Sequence, residues 1–206
     1  MKTRSFVLIV LLVAFAAPAA AQSPFAGHYG RLAPAPAVEP GPARILKEGL
    51  ASLIAFASAE PRPGRAQAVA FLESSIVPYF DFDYMARWAA GARNWERMGA
   101  AQQSLLENHI KQDFLATLAT RLTGFGAQQF DVQRPRWVGD NEVVVGVVIV
   151  NPGAYPARLN FRFYRSPDGW KVFDVAANGS SAVMHYRREF RRMVMQGAER
   201  ARPYYR

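Results

Sequence analysis

The sequence predicts an α+β fold in which N-terminal helices precede a four-stranded antiparallel sheet and one helix closes the chain. Between residues 43 and 122, apolar residues recur at helical spacing. From residue 128 to 177 they alternate with a period of two, and turn-forming residues separate the runs. Helical spacing returns after Ala182. Helices and strands are thus segregated along the chain.

The N-terminal segment, residues 1–21, is typical of a secretory signal peptide. Lys2 and Arg4 precede an apolar run from Phe6 to Ala17, and small residues at 19–21 offer a cleavage site. We therefore expect the protein to be exported. An uncleaved anchor is the alternative, but the run is shorter than the roughly 18 residues that a spanning helix needs.

The mature chain is expected to form one domain, residues 43–198. Residues 22–42 are rich in proline and predict a disordered or extended leader, and residues 199–206 predict a frayed basic tail. The chain has no cysteine, so packing alone must hold the fold and thiol catalysis is excluded. The formal charge of +9 becomes +7 without Lys2 and Arg4, which favours acidic proteins or anionic lipids. Export makes nucleic acid an unsuitable partner.

Four helices are predicted before the sheet. The first two cover residues 43–58 and about 65–77, ended by prolines. Asp81 or Asp83 is placed to cap a short third helix that Gly91 ends. The fourth, residues 100–122, carries the longest apolar stripe and is broken by Gly124 and Gly126.

The strand pattern covers four segments that form a meander: residues 128–137, 142–150, 157–164 and 170–177. The second is apolar on both faces and is expected at the centre of the sheet. Gly146 within it indicates either a bulge or a close backbone approach. The third alternates cleanly, so one of its faces is expected to contact water.

Residues 169–190 join the last strand to the closing helix. Asn178-Gly179 predicts a turn, and Ser180 or Ser181 is placed to cap the helix. Strict alternation places Trp170, Val172 and Asp174 on one strand face, and Lys171, Phe173 and Val175 on the other. The helix then shows an apolar face, with basic residues between: Arg187, Arg188, Arg191 and Arg192.

No catalytic or metal-binding set is visible, and we predict no catalytic residue, no metal and no cofactor. Asp81 and Asp83 are better explained as caps than as an acid pair. His28, His109 and His185 lie in three different elements without a carboxylate cluster beside them.

Two segments resemble the MlaC family, also described as toluene-tolerance proteins. They are FDFDYMARWAAGARNWERMGAAQQ and GWKVFDVAANGSSAVMHYRREF, the latter followed by MVMQGA, and the likeness extends over about residues 69–198. The resemblance implies helices around a curved, nuclear-transport-factor-like sheet. It also implies a monomeric, non-enzymatic periplasmic phospholipid carrier with acyl chains inside and the headgroup outside. Its expected partners are an inner-membrane ABC transporter complex and an outer-membrane lipoprotein complex.

Three features depart from the family. His185 stands where the family usually has Asn, Arg188 stands where a small polar residue is frequent, and the proline-rich leader is atypical. These differences leave open the hopanoid-associated HpnM branch, whose ligand need not be a diacyl phospholipid.

A carrier of two acyl chains has to enclose them. Some thirty methylene groups at about 0.8 kcal/mol each would cost about 20 kcal/mol if exposed. The predicted lipid-binding residues are apolar positions on strands and helices: Met85, Trp88, Phe114, Val145, Val147, Phe161, Phe163, Trp170, Val172, Val183, Tyr186 and Phe190. Each alone is more typical of ordinary core packing, so the hypothesis rests on the set and on the resemblance.

The four arginines of the closing helix are predicted to make transient contact with a membrane surface or an acidic partner, with a merely solvated polar face as the alternative. Two other functions stay open. An exported enzyme of the same fold would need a carboxylate or histidine in its pocket. A basic adaptor without an internal ligand would have a solid core.

Replacing His185 by Asn, the residue usual in the family, should leave folding intact and shift the lipid that co-purifies with the protein. The reason is that this position departs from the family within the joint expected to line the cavity. Mass spectrometry of extracted lipid, with the thermal unfolding midpoint as control, tests it. An unchanged lipid profile would contradict a selective role.

Overall fold

The structure is a computed structural model that describes residues 41–122, 129–150 and 155–200, with side chains described up to residue 196. Its helices are α1 Gly41–Ala57, α2 Arg65–Ser75, α3 Phe82–Ala90, α4 Ala92–Trp95, α5 Ala100–Leu122 and α6 Ala182–Arg200. Its strands are β1 Gln129–Val132, β2 Arg136–Trp137, β3 Glu142–Val150, β4 Ala157–Ser166, β5 Gly169–Ala177 and β6 Ser180–Ser181. The predicted α+β class is confirmed.

Several predicted features lie outside the described residues: the signal peptide, nearly all of the leader, the breaks at Gly124 and Gly126, and most of the tail. Two boundaries differ. Gly41 and Pro42, assigned to the leader, belong to α1, and α6 extends to Arg200. No helix in the described part of the chain is long and apolar enough to span a membrane.

The helix caps follow the local sequence signals. Asp81 caps α3, since its side chain accepts a hydrogen bond from the Tyr84 amide at 2.8 Å, and its second oxygen accepts one from the Tyr164 hydroxyl on β4. Gly91 ends α3 with a φ of 79°, a conformation that costs glycine little. The predicted bounds of α5 are confirmed, whereas the short α4 was not predicted.

The sheet has six strands rather than four, in the order β1-β3-β4-β5-β6, with β2 pairing the other end of β3. The single strand predicted at 128–137 is wrong, because residues 133–135, ending in Pro135, separate β1 from β2. Gly146 does not bulge. It permits a close approach, since a Cβ there would lie 3.2 Å from the Cγ atom of Gln133.

A β-bulge in β5 overturns the predicted alternation of its side chains. Arg162 pairs with Asp174 and Phe163 with Val172, which leaves Phe173 as an extra residue. Val175 therefore joins Val172 on one face of the sheet, and Asp174 lies with Phe173 on the other.

The two faces of the sheet meet different helices. One face packs Val143, Val145, Phe163 and Val172 beneath α1. The other places Phe173 against α3 and α6, in a cluster with Met85, Val183, Tyr186 and Phe190. A third cluster joins the end of α1 to α2 and α5.

The junction of β5 and α6 is organised by the carboxylate of Asp174, a side chain that is 2% exposed. It accepts hydrogen bonds from the Ser181 hydroxyl at 2.8 Å and from the Val183 amide at 3.1 Å. Ser181 in turn accepts a hydrogen bond from the Met184 amide, which confirms it as a cap. Arg162 lies 4.0 Å away and offsets the buried charge.

Replacing Asp174 by Ala should lower the free energy of unfolding by about 3 kcal/mol, because the Val183 amide and the Ser181 hydroxyl lose their acceptor at the start of α6, although Arg162 keeps Glu142 at 3.0 Å. Urea denaturation measures the change. Glu73→Ala, at an exposed carboxylate on α2, is the matched control and should change stability little. Equal stability of Asp174→Ala and the control would refute this role.

Candidate functional site

A cavity of about 480 Å³ lies between α1, one face of the sheet, α5 and the start of α6. Its apolar lining from the helices and from the segment between α2 and α3 is Ile45, Leu46, Leu50, Leu53, Ile54, Ile76, Phe80, Phe114, Leu118 and Leu122. Its apolar lining from the strands is Phe130, Ile149, Ala157, Leu159, Phe161, Val172, Val175 and Ala177. The volume falls in the range of about 300–1,000 Å³ that is typical of small-molecule sites.

Helix α1 forms one wall of the cavity because its apolar residues recur every three or four positions. Its lining residues are only partly covered by protein, and Pro42, Leu46 and Ala57 are the buried residues of this helix. Its start is fixed on β5: a Cβ at Gly41 would lie 2.5 Å from the Cδ1 atom of Trp170.

The floor of the cavity comes from the sheet. Phe161 on β4 pairs with Val175 on β5, and Leu159 pairs with Ala177, so adjacent strands present a continuous apolar surface. Val175 reaches this surface because of the bulge at Phe173. The floor thus depends on one irregular position in β5.

Polar residues also line the cavity, and they come mainly from α5 and from the β6–α6 junction. They are Tyr79, Thr117, Arg121, Ser180, Ser181, His185, Tyr186 and Arg188. No carboxylate is present among the described lining residues.

The comparison with family models gives one match: the model of the MlaC protein family matches residues 50–200. This chain belongs to the MlaC family. Among curated proteins, no sequence matches it. A solved structure of a phospholipid-binding protein from Ralstonia solanacearum, in complex with a phospholipid, is similar in fold. It has a TM-score of 0.69 and 24% identity, and the match covers 76% of this chain and 88% of that one.

Four of the residues predicted to bind lipid line the cavity of this MlaC-family protein: Phe114, Phe161, Val172 and Tyr186. The other eight do not line it. Met85, Trp88, Val183 and Phe190 pack in the cluster on the opposite face of the sheet. Val145, Val147, Phe163 and Trp170 pack with the residues on the cavity side of the sheet. Contact with lipid at the four lining positions stays a prediction.

The α1 residues that line the cavity were not predicted from the sequence, because their spacing is equally typical of a helix packed on a core.

The four arginines of α6 lie in different environments. Arg188 lines the cavity instead of facing away from it, whereas Arg191 and Arg192 are exposed. Arg187 is half-buried beside Gly91.

Titratable side chains of α5 and α6 contact one another. Tyr186 donates a hydrogen bond to Asp113 at 3.1 Å. Burial, followed by the nearby Asp113 carboxylate, raises the pKa of the Tyr186 phenol above its ordinary value, so the hydroxyl remains a donor to Asp113 at alkaline pH as well. Glu189 lies 3.9 Å from His109 and 3.7 Å from His185, measured between Oε2 and each Nε2.

His185 lines the cavity. Its Nε2 atom is buried and has no hydrogen-bond partner among the described residues. That atom lies near Glu189, which is not part of the lining. The described residues contain no cluster of three potential metal ligands. The mostly apolar lining is suited to holding an apolar molecule, and His185, with Glu189 3.7 Å from its Nε2 atom, is the histidine in the described lining that an enzyme of this fold would use.

Proposed function

We propose that this protein is a periplasmic carrier that binds a phospholipid with its acyl chains in the cavity. The observation that carries the proposal is the apolar cavity of about 480 Å³ within an MlaC-family fold. The similar Ralstonia solanacearum protein is described in complex with a phospholipid, which supports the same ligand class here.

The apolar lining favours acyl chains over a small polar ligand. Each methylene group transferred from water to the cavity contributes about 0.8 kcal/mol, whereas a polar group without a partner would cost free energy. A basic adaptor without an internal ligand was expected to have a solid core, and the cavity argues against that alternative. A hopanoid-like terpenoid remains a second candidate ligand class, because the lining is aliphatic on α1 and aromatic at Phe114 and Phe161.

In the cell, the carrier would exchange lipid between an outer-membrane lipoprotein complex and an inner-membrane ABC transporter complex. The predicted signal peptide supports export, and the cysteine-free chain folds by packing alone. Arg191 and Arg192 are exposed on α6 and would assist transient contact with an anionic surface. The protein would act as a monomer and without enzymatic activity.

Native mass spectrometry of protein purified from its own host should show the chain with a bound lipid, which extraction and fragmentation would identify. A homogeneous ligand-free mass with no extractable lipid would contradict the proposal. A terpenoid instead of a diacyl lipid would support the hopanoid-associated branch.

Replacing Val175 by Trp should weaken lipid binding by about fiftyfold, because an indole in the cavity displaces about three methylene groups of acyl chain. Binding of a fluorescent phospholipid to delipidated protein measures the change. Val138→Trp is the matched control, since Val138 is 44% exposed and does not line the cavity. Equal binding by the two variants would show that lipid does not occupy this cavity.

A further inference from the structure

The apolar stripe of helix α6 continues beyond the core on which the helix packs. Val183, Tyr186 and Phe190 are buried at positions i, i+3 and i+7 of the helix. Met193 and Val194 extend the stripe by one turn, yet they are 48% and 50% exposed. Every described side chain from residue 191 to residue 196 is exposed, although the helix runs on to Arg200. These turns therefore present apolar surface to solvent.

The exposed apolar side chains surround the helix at Met193, Val194 and Met195, the last of which is 70% exposed. Successive residues of an α-helix are rotated by about 100°, so these three cover roughly 200° of its circumference. A partner that binds a helix in a groove uses one face, at positions i, i+3, i+4 and i+7. Apolar side chains on opposite faces are better suited to the interfacial layer of a bilayer, which can surround the helix.

The charges beside this segment are mostly positive. Arg188 and Arg191 make no ion pair with any described residue, and Arg192 lies 3.9 Å from Glu189. Arginine can lay its apolar stem along a hydrocarbon surface while its guanidinium group stays among the lipid headgroups. Each basic residue close to an anionic membrane strengthens binding to it. The end of α6 therefore complements an anionic bilayer both in charge and in its apolar surface.

The exposed side of α6 also borders the cavity. Met184, Arg188, Arg191 and Met195 recur at positions i, i+4, i+7 and i+11, so they share one side of the helix, and all four are exposed. Arg188 lines the cavity as well. A bilayer held against this side would therefore lie next to the cavity wall.

We propose that this side of α6, together with Met193 and Val194 at its end, is a docking surface for an anionic phospholipid bilayer. The apolar side chains enter the interfacial layer, and Arg188 and Arg191 contact lipid phosphates. The inference rests on the proposed carrier function and adds to it the surface by which the carrier meets a membrane. An acidic protein and a second copy of this chain are the competing occupants.

Flotation of the protein with vesicles tests the docking surface. The vesicles contain dioleoyl phosphatidylcholine, either alone or with an equal part of dioleoyl phosphatidylglycerol. The wild type should float with the anionic vesicles, and added salt should weaken this binding because it screens the arginines. Arg191→Gln should weaken it about fivefold, the effect of one basic residue near an anionic surface. Val194→Glu should weaken it about tenfold, because it removes apolar area and adds a negative charge.

Val138→Glu is the matched control, because Val138 is a valine of similar exposure, 44%, that lies outside α6. It adds the same charge and should float like the wild type. Uptake of a fluorescent phospholipid from solution should be the same in Val138→Glu and Val194→Glu, since neither residue lines the cavity. The thermal unfolding midpoint verifies that both variants fold.

The outcomes separate this inference from the proposed function. Equal flotation of Val194→Glu and Val138→Glu would overturn docking through α6. Phospholipid uptake without any flotation would also overturn it, would favour an acidic protein as the occupant, and would leave the carrier function in place. A wild-type dimer that Val194→Glu dissociates, measured by sedimentation, would assign the surface to a second copy instead. Flotation that depends on Val194, without uptake of phospholipid, would support the docking surface and overturn the proposed function.

Discussion

The buried carboxylate of Asp174 is the interaction on which the geometry of the domain depends. It fixes the first turn of α6 against β5 through Ser181 and Val183, so it sets the direction in which the whole helix leaves the sheet. That direction brings Tyr186 to Asp113 on α5 and closes one side of the cavity. The bulge at Phe173 is what turns Asp174 toward the helix and Val175 toward the cavity. A single extra residue in one strand thus places both the structural and the ligand-facing side chains.

Elements governed by local signals could be predicted from the sequence. Helix α3 begins at the Asp81 cap and ends at Gly91, and α5 has the predicted bounds because its apolar stripe is long and uninterrupted. The bulge in β5 could not be predicted, since it depends on how this strand pairs with β4 and leaves no mark in the strand's own residues. The division of the first strand at Pro135 had a visible signal, because proline cannot donate a hydrogen bond within a ladder.

The site was less predictable than the fold because the same residue types fill a core and line a cavity. Val147 and Val175 are both β-branched residues in alternating strands, yet the first is packed and the second faces the cavity. Helix α1 has the apolar face of an ordinary surface helix, and only the tertiary arrangement shows that this face meets empty space. Arg188 is predicted to contact a membrane surface or an acidic partner, whereas in the structure it lines the cavity.

The position of α1 makes the cavity an unfilled part of the hydrophobic core. The part of its apolar face that lines the cavity has no protein atoms filling the space opposite it, so dispersion contacts that would stabilise a packed helix are missing there. A ligand that fills this space binds the folded form and not the unfolded chain, and it raises the free energy of unfolding in proportion to the logarithm of its concentration over its dissociation constant. The bound ligand then supplies the packing that the core otherwise lacks at this place. Release of cargo would leave the protein in its least stable form, which favours handing the ligand directly to the next binding site over release into water.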